Sequence, residues 1–259
     1  MGFFGQSRGW RAIVFACSFA WLGPMSGLKA ETHVAATPEP LAKSTEPFGL
    51  STTALEAGLV HEKWLGLQHR FDDDMVQLAL CDGDRERCVS PAALRLLAIV
   101  DAARQREGRA KLGEINRAIN LAIRSMSDAA QYGETDVWAS PISSFVRGAG
   151  DCEDYAIAKF ATLRLAGIAP DDLRILIMRD AIRGEDHAVA AVRLDGRWLT
   201  LDNRRMAMIE DVDVRNHRPT FVMDRGSVRR YAPATLLSDL APPADMLASA
   251  VSTATTSFR

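Results

Sequence analysis

Gly150-Asp151-Cys152-Glu153-Asp154-Tyr155-Ala156 opens a nearly unbroken apolar helical pattern that runs from Ala156 to Ala166. Gly148 and Gly150 interrupt the chain just before it, Asp151 is a residue type favoured at a helix N-cap, and Gly167 stands where a C′ glycine belongs. The spacing predicts a helix whose first turn holds Cys152. There the unsatisfied backbone N–H groups and the positive end of the helix dipole favour a thiolate, the nucleophilic form of cysteine. Asp151, Glu153 and Asp154 push the other way, because nearby negative charge raises a thiol pKa. A cationic histidine or a bound metal cation has to offset them. The plainer alternative is a small buried apolar side chain, which most free cysteines are, although a glycine-flanked, acid-rich helix start suits burial less well than a helix middle. The partners of Cys152 decide between the two.

At 259 residues, with 47% hydrophobic and 25% charged, the chain has an ordinary globular composition, enough for one large domain or two small ones. The formal net charge is −2, and the first thirty residues carry Arg8, Arg11 and Lys29 with no acid, so the remainder is more acidic still. That balance argues against a general nucleic-acid binder. The opening reads as Arg8 and Arg11, an apolar run from Ala12 to Leu22, then Gly23-Pro24 and small residues up to Ala30. This is the pattern of a secretory signal peptide over residues 1–30. The alternative, an uncleaved anchor, needs ~20 apolar residues and the run is shorter, so no membrane span is expected after cleavage. Export makes the remaining cysteines legible. Cys81 and Cys88 bracket a polar turn and suit a local disulfide in an oxidising compartment; a pair of metal ligands would want a second Cys or His pair nearby. Cys152 is then the odd thiol, which in an exported protein is either sequestered or used.

Residues 31–53 are rich in Pro, Thr, Ala, Ser and Glu and read as a tether running into an extended segment around Phe48 and Leu50. Apolar residues from about Leu55 to Ala79 recur at helical steps, Ser90-Pro91 starts a second helix that stops by Gly108, and a third runs from near Gly113 to Ser127-Asp128. A long loop from Ala129 to Gly150 precedes the cysteine, and such loops tend to carry function. After the Cys152 helix the period changes to two: Arg174–Met178, His187–Leu194, Arg197–Leu201, Thr220–Met223 and Val228–Tyr231 read as strands, with residues 233–259 a weakly ordered tail. Helices first and an antiparallel sheet after them make a single α+β domain over residues 54–232.

Asp195-Gly196 is a two-residue type I′ hairpin turn, which pairs Leu194 with Arg197 and carries Val189 opposite Asp202. His187, two residues from Val189, is on the same face and is the diagonal neighbour of Asp202. A thiol at a helix start, a histidine and a carboxylate on neighbouring strands form the set that nucleophilic catalysis needs: His187 takes the Cys152 proton and Asp202 fixes the imidazole. Singly, His187 could be a strand-edge residue and Asp202 a strand-end cap. His33, His61, His69 and His217 lack a matching acid at strand spacing and read as surface residues.

The run Trp138-Ala139-Ser140-Pro141, then Gly150-Asp151-Cys152-Glu153-Asp154-Tyr155-Ala156, Asp186-His187-Ala188-Val189 and Leu201-Asp202-Asn203-Arg204 resembles the bacterial transglutaminase-like cysteine proteinase family, whose members include LapG-type periplasmic proteases. The resemblance covers about Pro47 to Tyr231. It implies a papain/transglutaminase-like fold in which N-terminal helices and a nucleophile-bearing helix pack on an antiparallel sheet, and a Cys-His-Asp triad at Cys152, His187 and Asp202. It also implies a calcium ion (Ca²⁺) beside the triad, held by Asp151 and Glu153 with Asp154 as a third acid. A hard cation there would offset the charge that raises the thiol pKa; taken alone, the acids would simply complement the helix dipole. The implied activity is a calcium-dependent cysteine endopeptidase that clips a large surface adhesin near its N-terminus in biofilm control. The implied partner is an inner-membrane cyclic-di-GMP receptor that sequesters the protease. Transglutaminase-type acyl transfer to an amine and a non-catalytic binding protein on the same fold are the competing expectations.

Overall fold

A computed structural model describes residues 44–233; the leader, most of the tether and the tail beyond Pro233 lie outside the described residues. In chain order, a short strand β1 (Thr52–Ala54) is followed by α1 (Leu59–Gly83), α2 (Pro91–Arg104) and α3 (Gly108–Ala122). In α1, Trp64, Leu67, Phe71 and Leu78 fall three, four and seven residues apart and are all buried, so one stripe of the helix faces the core. Ser90 caps α2, its hydroxyl accepting from the Ala93 N–H at 3.2 Å, and Pro91 takes the first helical position, where no N–H is needed. A Cys81–Cys88 disulfide joins the end of α1 to the segment leading into α2.

The third helix begins and ends earlier than the periodicity predicts. Ile123 turns extended, and β2 (Arg124–Ser125) pairs in parallel with β3 (Ala149–Gly150), the two residues before Asp151, the N-cap of the cysteine helix. This pairing between segments 25 residues apart, 124 with 149, overrides the local helical pattern. The loop read as irregular holds two short helices, α4 (Asp128–Tyr132) and α5 (Pro141–Arg147). Each ends in a left-handed glycine, Gly133 and Gly148.

The helix α6 (Cys152–Leu165) is buried on every side from Asp154 to Leu163, which makes it a central core helix rather than an amphipathic surface one. It ends in a Schellman arrangement: the Ile168 N–H donates to Leu163 O at 3.1 Å and the Gly167 N–H to Arg164 O at 3.0 Å, with Gly167 at φ +91°. The strands β4 (Leu173–Asp180), β5 (Glu185–Leu194), β6 (Arg197–Leu201), β7 (Ile209–Glu210), β8 (His217–Met223) and β9 (Val228–Tyr231) form an antiparallel sheet with β1, in the order β1-β9-β8-β4-β5-β6-β7. Period-two alternation sorts its two faces. Ile175, Ile177, Ala190, Val192, Leu199 and Leu201 join the core of α6, while Leu176, Met178, Val189, Ala191, Trp198 and Val222 form a second cluster capped by Phe48 and Leu50.

Pro219 sits inside β8, a strand flanked on both sides. It is tolerated because the β4–β8 register shifts between Ile177 and Met178, and β9 reaches only as far as Phe221. The segment read as a tether end is pinned to the sheet: Glu46 binds Arg174 at 2.8 Å and Arg229 at 3.0 Å, and the Trp198 indole donates to Thr45 O. No helix among the described residues is long and apolar enough to cross a membrane.

Candidate active site

The β5–β6 hairpin turns on Asp195 and Gly196, both with positive φ (51° and 77°), and pairs Leu194 with Arg197 through to Ala190 with Leu201. Continued by one residue, this register carries His187 and Asp202 to the same face, where His187 Nε2 and Asp202 Oδ1 lie 2.9 Å apart. The Arg204 N–H also donates to Asp202 Oδ1, at 2.9 Å. Burial pushes the Asp202 carboxyl up, but the hydrogen bond and charge of His187 more than offset it, so Asp202 is held below the ordinary carboxylate range. With Nε2 engaged, Nδ1 is the free ring nitrogen of His187; it is buried and has no partner.

Cys152 opens α6, directly after the N-cap Asp151. Its thiol donates to Glu153 Oε2 at 3.1 Å, and the Ala188 N–H, next to His187, faces it from β5. Burial first, and the Glu153 charge second, drive the thiol pKa far up. Cys152 and His187 line one cavity of about 560 Å³, whose apolar wall includes Leu59, Val60, Met126, Trp138, Ile177 and Phe221. The structure thus brings Cys152 and His187 to one cleft, with Asp202 hydrogen-bonded to His187. In this arrangement the thiol is hydrogen-bonded to Glu153, and His187 Nδ1 has no partner.

Of the three acids expected to hold a cation, two are brought together and one is placed elsewhere. Oxygens of Asp128, Asp151 and Glu153 lie within 4.8 Å of one another. Asp154 is absent from this group. Its carboxylate, with no exposed surface, folds back over Gly150, accepting from the Ala139 N–H at 2.9 Å and the Asp151 N–H at 3.4 Å as the return arm of a capping box. An aspartate at the third helical position is committed to the cap, and Asp128 of α4 takes the third place. The sequence reading missed Asp128 because it lies 23 positions before Asp151, at what that reading took as a helix end.

The cluster fits a cation on its own chemistry. Asp128 Oδ1 and Asp151 Oδ1 are buried without a hydrogen-bond partner. Burial raises all three carboxyls; the Asp136 charge adds to it at Asp128, the Asp128 and Asp136 charges at Asp151, and Asp151 at Glu153, which is raised to about 9, while burial raises the neighbouring Asp154 to about 7. Such crowding of buried oxygen donors is what an oxygen-preferring divalent ion stabilises. Lys63, a nearby cation, is bound instead to Asp136.

His217, read as a surface residue, is half-buried with its ring 5.9 Å from that of His187 and Nε2 3.5 Å from Asp180. The acid it approaches lies on β4, out of reach of any hairpin argument.

The structures of LapG from Legionella pneumophila share the fold. The EGTA-treated form is 21% identical with a TM-score of 0.51, the match covering 63% of this chain and 88% of that one. A second LapG structure is 20% identical with a TM-score of 0.50 and covers 65% and 92%. A calcium-bound form of that protein aligns at 21% identity and a TM-score of 0.48, over 68% and 91%. No curated protein matches the chain. Residues 75–224 match the model of the bacterial transglutaminase-like cysteine proteinases (BTLCP). That span is more than half of the sequence, and the chain belongs to the bacterial transglutaminase-like cysteine proteinase family.

Proposed function

We propose that this cysteine protease is a periplasmic, calcium-dependent endopeptidase in which Cys152, His187 and Asp202 act as a triad. The observation that carries the reading is the His187–Asp202 pair at 2.9 Å, which leaves only Nδ1 free at the cleft that also holds the Cys152 thiol. With Nε2–H donated to Asp202, Nδ1 is a bare acceptor: it takes the Sγ proton, the thiolate adds to the scissile carbonyl, and the imidazolium returns the proton to the leaving amine. The Cys152 N–H, in the first turn of α6, is free of any intrahelical acceptor and can donate to the developing oxyanion. Water then releases the acyl group and restores the thiol.

A cation held by Asp128, Asp151 and Glu153 would supply the countercharge that frees the thiol from Glu153 and lowers its pKa. Calcium suits a site made only of carboxylates. The periplasmic location rests on the leader-like residues 1–30 and the Cys81–Cys88 disulfide. The protein substrate is, in this reading, a large surface adhesin cut near its N-terminus, and an inner-membrane cyclic-di-GMP receptor restrains the enzyme; both rest on the family resemblance.

The test is cleavage of an N-terminal adhesin fragment by the mature enzyme, followed by mass spectrometry of the products. Cys152→Ala and His187→Ala should each abolish cleavage while the protein stays folded, because nucleophile and base act as a unit. Undiminished proteolysis by the Cys152→Ala protein would end the thiol-protease reading. Products joined to an added amine rather than hydrolysed would move it to acyl transfer.

A further inference from the structure

Lys159 is a cation where none is expected. Its side chain has no exposed surface and sits in the middle of α6, among Tyr155, Ala156, Ile157, Ala158 and Phe160, all buried. Burying an ammonium without a close carboxylate costs stability, and an apolar residue of the same length would fill the site without that cost. Its contacts show what the nitrogen does there. Nζ donates to the carbonyl of Leu201 at 3.2 Å and lies 5.8 Å from the centre of the Tyr155 ring. Leu201 is the last residue of β6, and the next residue is Asp202.

The helix geometry makes this contact informative. Lys159 lies seven residues, two turns, beyond Cys152, so both fall on one face of α6, about 10 Å apart along its axis. One helix, buried from Asp154 to Leu163, therefore carries the thiol at its start and grips the strand end of the acid further along. The other ties on residues 201–205 come from α3 and the sheet: Asn120 donates to Asp202 O at 3.0 Å, Asn116 and Asn120 each donate to Arg205 O at 3.1 Å, His187 Nε2 lies 2.9 Å from Asp202 Oδ1, and Arg204 binds Asp180 at 3.2 Å and Glu185 at 2.7 Å. Of these groups, Lys159 alone refers the position of the acid to the helix of the nucleophile.

We propose that Lys159 is a positioning residue for the triad: by donating to the Leu201 carbonyl it registers the end of β6, and with it the Asp202 carboxylate, against the helix that carries Cys152. Burial drives the amine down to about 7, opposed by the Asp202 charge. In either protonation state the nitrogen keeps a hydrogen to give to Leu201 O, so the clamp survives across neutral pH. The inference rests on the triad reading given above.

The experiment uses Lys159→Met and Lys159→Leu in the mature enzyme, with three measurements: thermal unfolding, kcat and KM on the protein substrate, and ¹⁵N-histidine spectra in a Cys152→Ala background. The His187 signals are identified by their loss in His187→Gln. Because an apolar side chain replaces a buried cation, the melting temperature should hold or rise. A loosened acid should lower kcat about 10²-fold with KM within about twofold, since misplacement of a catalytic group by ~1 Å has that effect. His187 should pass from the single Nε2–H tautomer to a mixture. Parent kcat in both variants, an unchanged His187 spectrum, or activity falling only in step with melting temperature would each overturn the proposal. Full activity of Asp202→Ala would instead overturn the triad reading beneath it.

Discussion

A methyl group added at Gly150 would run into the first turn of the nucleophile helix. A Cβ built there lies 2.7 Å from Asp154 Cβ and 2.8 Å from Asp154 Oδ2, whereas carbon atoms in contact settle at about 3.5–4.0 Å. Gly150 is not among the positive-φ residues, so its demand is for space rather than for a left-handed backbone. Asp154 has nowhere to retreat: it is fully buried and its other oxygen is held by the Ala139 N–H. Relief requires a shift of roughly 1 Å in either β3 or the start of α6, at about 1–3 kcal/mol for overpacking. A further ~1 kcal/mol follows if the Ala139 N–H is left unpaired. At a total of about 1–4 kcal/mol, Gly150→Ala should therefore lower the melting temperature by roughly 2–16 °C at the 2–4 °C per kcal/mol typical of this size. Because the displaced turn carries Cys152, cleavage should slow by about 10²-fold. Calorimetry, the rate of Cys152 alkylation by iodoacetamide and substrate cleavage read the effect. Gly66→Ala is the control, since a Cβ in that turn of α1 meets nothing within 4 Å and alanine there should stabilise by about 0.5–1 kcal/mol. A Gly150→Ala protein that melts with the parent and cuts at the parent's rate would refute the close-packing argument.

Two other perturbations probe the charges. If the acids beside Cys152 hold calcium, Ca²⁺ at a hundredfold excess over its dissociation constant should stabilise the fold by about 2.7 kcal/mol, EGTA should suppress proteolysis, and Asp128→Asn should blunt both effects. Melting curves indifferent to Ca²⁺, with full activity in EGTA, would leave the cluster without an ion. For Glu46, burial raises the carboxyl but the Arg174 and Arg229 guanidiniums prevail, holding it below its ordinary value of 4.5. A depressed folded-state pKa stabilises the protein above the unfolded value, and that contribution is lost as pH falls through the folded one. Glu46→Gln should thus cost about 3 kcal/mol at neutral pH and flatten the acid side of the stability profile below pH 4.5; an acid limb as steep as the parent's would show that other carboxylates govern it.

Elements whose causes are local can be read from the chain directly. A glycine, an N-cap aspartate and an apolar run start α6 at Cys152; Asp195-Gly196 sets a two-residue turn, and period-two alternation then leaves His187 and Asp202 on one face. Two cysteines seven residues apart form their disulfide across a single turn. These outcomes depend on neighbours within a few residues, where conformational preference and spacing suffice. Which acid joins Asp151 and Glu153 depends instead on long-range packing. Capping claims Asp154 within its own helix turn, and the vacant place falls to Asp128, brought in by the β2–β3 pairing that also cuts α3 short. The same holds for His217 against His187 and for Lys159 against Leu201, contacts between residues 30 and 42 positions apart. Nothing in the local pattern around Lys159 separates a snorkelling surface lysine from a buried one. Its role follows from where the sheet lies over the helix, and that is settled by the packing of the whole core.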